Sequence, residues 1–360
     1  MSILDLVSFI AGLILLVAGA ESLVRGASRI AAIAGISPLV IGLTVVAFGT
    51  SSPETAVSVF SSLNGQADLS LGNVVGSNIF NVLLILGVSA MIAPLGVSPQ
   101  LIKFDVPVMI GSSLLLMAFV QDGNISRMEG VVLLYGILAY TMILVYKSKK
   151  EPLAIKEEYA KEFGYRNGRT PWTWVKNGLF VVGGLVILVF GSRLLVDGAT
   201  VAARALGVSE LVIGLTIIAA GTSLPELATS VIASIRGERD IAVGNIVGSN
   251  IFNILAVLGL SSVAVSGGVP VSGAVLGVDI PVMTAIAAVC LPVFYTGREI
   301  SRWEGLLFLG YYAAYTAYLV LSSTGHAGLP GFVFAMNSVA LPLTAVLIII
   351  SLIPHFRRRA

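Results

Sequence analysis

The chain contains two copies of one sequence pattern, separated by a constant 172 residues. The segment GTSSPE at 49–54 returns as GTSLPE at 221–226, and GNVVGSNIFN at 72–81 returns as GNIVGSNIFN at 244–253. A window of twenty residues that ends with the first motif agrees with its copy at 14 positions. Because both motifs keep the same offset, the copies are in register and are expected to build the same local structure twice.

The composition is that of a helical membrane protein. Hydrophobic residues make up 56% of the chain and charged residues 11%, against roughly 25% charged in soluble domains. The apolar runs are continuous and long enough to cross ~30 Å of hydrocarbon, whereas a membrane β-barrel would show short alternating segments. The net charge of +2 gives no basis for a nucleic-acid partner, and the single cysteine, Cys290, excludes a disulfide framework. We therefore predict an all-α polytopic membrane protein in contact with the lipid bilayer.

Eleven membrane spans are predicted from the apolar runs, near 3–33, 38–63, 70–93, 104–121, 128–147, 173–206, 210–235, 241–265, 274–296, 303–322 and 332–353. With the N-terminus outside, 18 of the 21 lysine and arginine residues fall on the inner side. The positive-inside rule therefore favours a multi-pass protein of the cell membrane whose C-terminus and 148–172 loop are cytoplasmic.

The repeats divide the chain into four parts. Residues 1–147 form a first five-helix repeat, 148–172 a charged cytoplasmic linker, 173–322 a second repeat, and 323–360 an extra C-terminal helix with a basic tail. Because five is an odd number of spans, the second repeat must be inverted relative to the first. Inverted repeats build binding sites near the bilayer midplane from interrupted helices. The sequence predicts two inverted five-helix repeats, a ten-helix core, plus one helix, and it gives no indication of oligomeric state.

The first motif carries a carboxylate deep inside an apolar span. Each buried acid, Glu54 and Glu226, costs at least ~2.5–3.5 kcal/mol at bilayer depth. Thr50 and Ser51 precede Glu54 by four and three residues, so all three share one helical face. Pro53 removes a backbone N–H and favours a break in the helix. The second copy repeats this arrangement with Thr222, Ser223 and Pro225.

The second motif supplies another polar face, with Ser77 and Asn81 four residues apart and Ser249 and Asn253 in the copy. Oxygen ligands without imidazole or thiolate argue for calcium, magnesium or alkali cations. Two carboxylates balance one Ca²⁺, and the same oxygens could hold Na⁺ after Ca²⁺ leaves. An empty site with two bare carboxylates is unfavourable in a low dielectric, which would couple the two ion fluxes.

These motifs resemble the paired α-repeats of the sodium/calcium exchanger family, within the calcium/cation antiporters, over about 1–322. The resemblance implies a ten-helix inverted-repeat core, alternating access, exchange of three or so Na⁺ per Ca²⁺, and no cofactor. Matched residue by residue, it implies a site formed by Glu54, Thr50, Ser51, the carbonyl of Ala47, Ser77 and Asn81 in one half, and by Glu226, Thr222, Ser223, the carbonyl of Ala219, Ser249 and Asn253 in the other. Several family members carry an acid at one of the positions held here by Asn81 and Asn253, and two amides lower the charge of the site.

Other exchangers, a channel and a protease are the alternatives to this function. A calcium/proton exchanger or a potassium-dependent sodium/calcium exchanger would use the same acids, and a calcium-permeable channel is a more distant alternative. An intramembrane serine protease needs a base near its nucleophile, and no histidine or lysine lies in the interior of the spans, so we do not expect an enzyme. Asp105 and Asp279 precede Val-Pro and Ile-Pro at the starts of two spans and are interpreted as helix N-terminal caps.

Overall fold

The computed structural model describes residues 3–149, 171–206 and 219–357 of the chain. Within these ranges, nine helices are long and apolar enough to cross a membrane, and a bent pair of helices raises the number to ten. The predicted linker 148–172 falls almost wholly outside the described residues, as does the first part of the span predicted at 210–235.

The helices of the first half are α1 (Ile3–Ala34), α2 (Pro38–Thr50), α3 (Ser52–Leu63), α4 (Ala67–Ile92), α5 (Leu101–Asp122) and α6 (Arg127–Lys149). Those of the second half are α7 (Pro171–Ala205), α8 (Ala219–Gly221), α9 (Leu224–Ile235), α10 (Arg239–Ala264), α11 (Val275–Tyr295) and α12 (Arg302–Ser323). A last helix, α13 (Leu329–Ser351), continues in helical conformation to Arg357. Each described helix lies where a span was predicted, with ends that differ by a few residues.

Helices α4 and α10 form the centre of the molecule and are the most enclosed of the long helices. Small residues allow them to approach their neighbours closely. A Cβ atom added at Gly248 of α10 would lie 2.8 Å from the Cα of Leu43 in α2, so only glycine lets these two backbones meet here. The motif glycine thus brings the second-repeat motif helix directly onto the segment that leads into the first motif.

Helices α1 and α7 pack along each other over most of their length. Their contact face is lined by glycines: a Cβ at Gly19 would lie 2.7 Å from the backbone nitrogen of Leu188, and one at Gly184 would lie 2.6 Å from that of Leu23. Small residues are typical of membrane helix interfaces because they let backbones pack closely without lipid between them.

Two short antiparallel strand pairs join loops from different halves. Strand β1 (Leu95–Gly96), after α4, pairs with β4 (Glu299–Ile300), before α12. Strand β2 (Asn124–Ile125), before α6, pairs with β3 (Val269–Pro270), after α10. The loop that follows α4 and its counterpart that follows α10 therefore belong to different strand pairs.

The prediction that Asp105 and Asp279 cap helix N-termini is wrong. Both lie inside helices, at the ends of π-helical turns that begin four residues earlier, so neither stands at a helix N-terminus. Asp105 instead accepts a hydrogen bond from the Tyr140 hydroxyl at 3.0 Å, and Asp279 accepts one from Tyr315 at 2.9 Å.

Helix α13 lies against α12 at the edge of the molecule. The Tyr311 hydroxyl of α12 donates to the carbonyl of Ala340 at 3.2 Å and lies 2.6 Å from the Thr344 hydroxyl. Most other side chains of α13 are apolar and exposed, which suits a helix surrounded by lipid.

Candidate ion-binding site

A break in the second membrane segment sets the position of Glu54. Helices α2 and α3 meet at Ser51 with a bend of 46°. Ser51 has φ −81° and ψ 10°, outside the helical range, while its carbonyl accepts the backbone N–H of Thr55 at 3.1 Å and so begins α3. Pro53 occupies the first turn of α3, where its missing N–H leaves no bond unmade. Glu54 stands in the same turn, at the helix end that favours negative charge.

The junction of α8 and α9 repeats this geometry in the second half. Ser223 has φ −90° and ψ 7°, Pro225 lies in the first turn of α9, and Glu226 follows it. The predicted interruption of both motif segments is therefore present, and each interruption places one glutamate at the start of a helix.

The two glutamates are held by serines from opposite halves of the chain. The Ser51 hydroxyl donates to Oε1 of Glu226 at 2.9 Å, and the Ser223 hydroxyl donates to Oε1 of Glu54 at 2.9 Å. All four side chains are fully buried. The structure thus brings both predicted acids into one cluster with their two serines, and among the described residues no lysine or arginine forms an ion pair with either acid.

Several buried oxygens of the predicted site have no hydrogen-bond partner in the protein. They are Oε2 of Glu54, Oε2 of Glu226, Oδ1 of Asn81, Oδ1 of Asn253 and Oγ of Ser249. Buried polar atoms in folded proteins are normally paired, and unpaired carboxylate and amide oxygens are the ligands that Ca²⁺ takes, about 6–8 at a time. The residues present therefore fit a hard cation.

Among the described residues, two carboxylates, those of Glu54 and Glu226, supply the charge of the candidate site. Within the described ranges, no group of three or more His, Cys, Asp or Glu side chains is arranged to hold a metal ion. Neutral amide, hydroxyl and carbonyl oxygens must supply the remaining ligands, a mixture that suits Ca²⁺ and Na⁺ better than Zn²⁺.

The two threonines of the first motif contact asparagines that the sequence analysis did not single out. Thr50 donates to Oδ1 of Asn245 at 3.1 Å, and Thr222 donates to Oδ1 of Asn73 at 3.1 Å. Asn73 in turn donates to the carbonyl of Glu54 at 3.2 Å. These asparagines tie each helix break to the motif helix beside it. Asn73 lies four residues before the predicted Ser77, on the same helical face, and that spacing could have identified it.

Four further contacts join α4 and α10 at their crossing. The amide nitrogen of Asn81 donates to Oδ1 of Asn250 at 3.0 Å, and that of Asn253 donates to Oδ1 of Asn78 at 3.1 Å. Asn78 and Asn250 also donate to each other's backbone carbonyl, at 3.3 and 3.4 Å. We refer to these four residues as the asparagine quartet. Asn78 and Asn250 were not predicted. Each directly follows a serine of the predicted site, so it lies on a different face of the helix from that serine.

The remaining predicted residues occupy the same region. The Ser77 hydroxyl lies 3.0 Å from that of Ser223. The carbonyl of Ala47 already accepts the backbone N–H of Ser51 at 3.0 Å, and the Thr50 hydroxyl lies 3.4 Å from it. Ala219 is the first described residue after 207–218 and begins α8.

Comparison with known proteins decides the family. Residues 4–146 and 176–321 match the sequence profile of the family described as sodium/calcium exchanger protein. This chain belongs to the sodium/calcium exchanger family. As a member it is a membrane antiporter of a family that carries Ca²⁺ and Na⁺, and not an enzyme.

Individual relatives match most of the chain. The putative antiporter CaxA of Alkalimonas amylolytica is 43% identical over 319 residues, which are 87% of this chain and 98% of that protein. The sodium/calcium exchanger MaX1 of Methanosarcina acetivorans is 34% identical over 342 residues, 86% of this chain and 96% of that one. The inner membrane protein YrbG of Escherichia coli is 40% identical over 262 residues, 72% and 79% of the two chains.

Solved structures of the sodium-calcium exchanger NCX_Mj have the same fold. One of them, from a crystal soaked with Na⁺ and Sr²⁺, superposes with a TM-score of 0.75 at 34% identity and covers 88% of this chain and 99% of that one. The mostly helical membrane architecture predicted from the sequence is therefore confirmed.

Proposed function

We propose that this protein exchanges Ca²⁺ for Na⁺ by alternating access, with the ions bound near the bilayer midplane between two inverted five-helix repeats. The observation that carries the proposal is the crossed pair of contacts, Ser51 to Glu226 and Ser223 to Glu54. Two fully buried carboxylates with an unpaired oxygen each need positive charge. One Ca²⁺ or several Na⁺ supply it, and the empty site opposes return of the carrier without cargo.

The ligands proposed are those of the sequence analysis: Glu54, Thr50, Ser51, Ala47, Ser77, Asn81, Glu226, Thr222, Ser223, Ala219, Ser249 and Asn253. Glu54 and Glu226 provide the charge, and the unpaired oxygens of Asn81, Asn253 and Ser249 complete the shell. Thr50 and Thr222 orient Asn245 and Asn73 beside the helix breaks. Exchange of three Na⁺ for each Ca²⁺ is the proposed stoichiometry.

The strand pairs support an inverted arrangement of the repeats 1–147 and 173–322. In a chain that crosses the membrane at every span, the loops after the third and ninth spans lie on one face, and those after the fourth and eighth on the other. Strands β1 and β4 join the loops after the third and ninth spans, and strands β2 and β3 join the loops after the fourth and eighth spans. The equivalent loops after α4 and α10 would then lie on opposite faces, as inversion requires.

The distribution of basic residues supports an orientation with the N-terminus outside and the linker 148–172 and C-terminus in the cytoplasm. Residues 323–360 are proposed to add a peripheral helix and basic tail to the ten-helix core. The contact of α13 with α12 through Tyr311 supports that peripheral place.

Transport in reconstituted vesicles tests the proposal. Vesicles loaded with Na⁺ and diluted into Na⁺-free medium with labelled Ca²⁺ should take up Ca²⁺, and collapse of the Na⁺ gradient should stop uptake. Uptake driven by a proton gradient alone would establish the calcium/proton alternative, and an absolute need for K⁺ the potassium-dependent one. Ca²⁺ flux without any counter-ion would indicate a channel.

The acids are tested in the same vesicles. Glu54→Ala and Glu226→Ala should each abolish Na⁺-driven Ca²⁺ uptake while the protein still inserts and elutes as a single species. The control is Asp68→Ala, which removes an exposed acid from the first turn of α4 and should leave uptake unchanged. Wild-type uptake in either glutamate variant would refute the assigned site.

A further inference from the structure

The asparagine quartet fixes which end of each site amide faces the ion. An asparagine side chain has an accepting oxygen at one end and a donating NH₂ at the other, and the hydrogen-bond network decides their order. Backbone carbonyls can only accept. Because Asn78 and Asn250 each lie against the backbone carbonyl of the other, at 3.3 and 3.4 Å, their NH₂ groups must face those carbonyls.

The order of the remaining two amides follows. With its NH₂ on a carbonyl, Asn250 presents Oδ1 to Asn81, and Asn81 can satisfy it only by donating its own NH₂, as it does at 3.0 Å. The same steps hold for Asn78 and Asn253 at 3.1 Å. The Oδ1 atoms of Asn81 and Asn253 are left at the opposite ends, fully buried and without protein partners.

We propose that Asn78 and Asn250 are positioning residues that hold the Oδ1 atoms of Asn253 and Asn81 toward the transported cation. This inference rests on the proposed function, because it assigns a role within the same site. Without Asn78, the amide of Asn253 can turn and present NH₂ to the cation, which would repel it. Each half of the chain thus sets the ligand geometry of the other.

The sulfur contacts of the quartet offer a matched control. The NH₂ of Asn78 also lies 3.5 Å from Sδ of Met283, whereas Asn253 contacts the Oδ1 of Asn78. Met283→Leu keeps the volume and removes only this weak acceptor, so it should leave the orientation of Asn253 intact. Asn250 has an equivalent contact with Met109 at 3.6 Å.

The test uses three variants: Asn78→Leu, Asn253→Ala and the double variant that combines them. Met283→Leu and the wild type are the controls. Ca²⁺ titration calorimetry of the purified protein and Na⁺-driven Ca²⁺ uptake in vesicles are measured for each. Loss of an interaction that orients a metal ligand typically weakens metal affinity 10- to 100-fold. We expect Asn78→Leu to raise the Kd and the KM for Ca²⁺ by that factor with little change in kcat, and Met283→Leu to change neither.

The double variant separates positioning from a general structural role. If Asn78 acts through Asn253, its replacement should have no further effect on Kd once Asn253 is already alanine. The proposal would be overturned if the double variant raised Kd by the product of the two single effects. A fall in kcat with unchanged Kd would also overturn it. Asn250→Leu with Asn81→Ala repeats the test in the other half. If neither leucine variant folds, the asparagine quartet is structural and the proposal fails. Absence of Na⁺-driven uptake in the wild type would instead refute the proposed function.

Discussion

Ser51 donates its hydroxyl to Glu226, a residue 175 positions away in the other half of the chain, and both side chains are fully buried. The equivalent pair, Ser223 and Glu54, makes the same contact at the same distance of 2.9 Å. Each carboxylate therefore accepts a hydrogen bond from a serine of the other half of the chain. A displacement of one half relative to the other would alter both acids together.

Removal of either serine hydroxyl should weaken Ca²⁺ binding. A hydrogen bond to a charged group contributes about 1.5–3 kcal/mol, which corresponds to roughly 10- to 100-fold in affinity. We expect Ser51→Ala and Ser223→Ala to raise the Ca²⁺ KM for vesicle uptake to similar extents. Ser52→Ala is the control, because Ser52 is exposed and bonds only to the carbonyl of Phe48 in its own segment. Equal KM values for wild type and Ser51→Ala would argue against this role.

The packing of α1 on α7 can be probed with two adjacent glycines. Gly184→Ala would place a Cβ atom 2.6 Å from the backbone nitrogen of Leu23, whereas nothing lies within 4 Å of the corresponding position at Gly183. Overpacking of this kind costs typically 1–3 kcal/mol. Thermal unfolding in detergent should show a lower Tm for Gly184→Ala and an unchanged or slightly higher Tm for Gly183→Ala. Matching Tm values for the two variants would mean that α1 and α7 shift apart without loss of stability.

The charge balance of exchange predicts that the rate of Ca²⁺ uptake depends on the membrane potential. Ca²⁺ neutralises the two carboxylates, whereas three Na⁺ leave one net positive charge, so exchange at this ratio moves one positive charge out of a vesicle for each Ca²⁺ that enters. An inside-positive potassium diffusion potential set with valinomycin should therefore accelerate Ca²⁺ uptake by Na⁺-loaded vesicles. The same potassium concentrations without valinomycin serve as the control. Uptake that does not respond to the potential would indicate two Na⁺ per Ca²⁺.

An ion pair links α1 to the end of the seventh predicted span. Glu21 contacts both Arg25, at 2.6 Å, and Arg236, whose Nε donates to it at 2.7 Å. Each partner is about one-third exposed or more, so screening limits the contribution of such pairs to about 0–1 kcal/mol. Arg236→Gln should lower the Tm by a few degrees at most, and the difference should shrink at high salt. A large, salt-independent loss of stability would show that the pair is effectively buried.

Much of the candidate cluster could be predicted because its residues occur in both copies of the sequence pattern. A carboxylate in an apolar span is expensive wherever it occurs, so Glu54 and Glu226 stand out from composition alone, and the nearby proline and serine residues locate the helix breaks. The periodicity of α4 and α10 predicts that Ser77, Asn81 and their copies belong to the same candidate site, since residues four apart share a face.

Other features depend on contacts that no local pattern encodes. Asn78 and Asn250 lie beside the site serines in sequence, and only the crossing of α4 with α10 brings them to the amides of the opposite half. Asp105 was predicted to cap a helix because a proline follows shortly after it, but the helix begins earlier, and Tyr140 from α6 donates to one oxygen of the carboxylate. The strand pairs between loops are only two residues long and leave no recognisable sequence signal.

The crossed contacts always join the same kinds of residue: serine to glutamate, threonine to asparagine, and asparagine to asparagine. Every donor and every acceptor needed for the cluster is consequently encoded within a single half. Two identical copies of one half, placed in the same relation, would therefore contain every group that these contacts need. Within one polypeptide the two halves can differ in sequence, so a substitution at one member of each pair can make the site asymmetric.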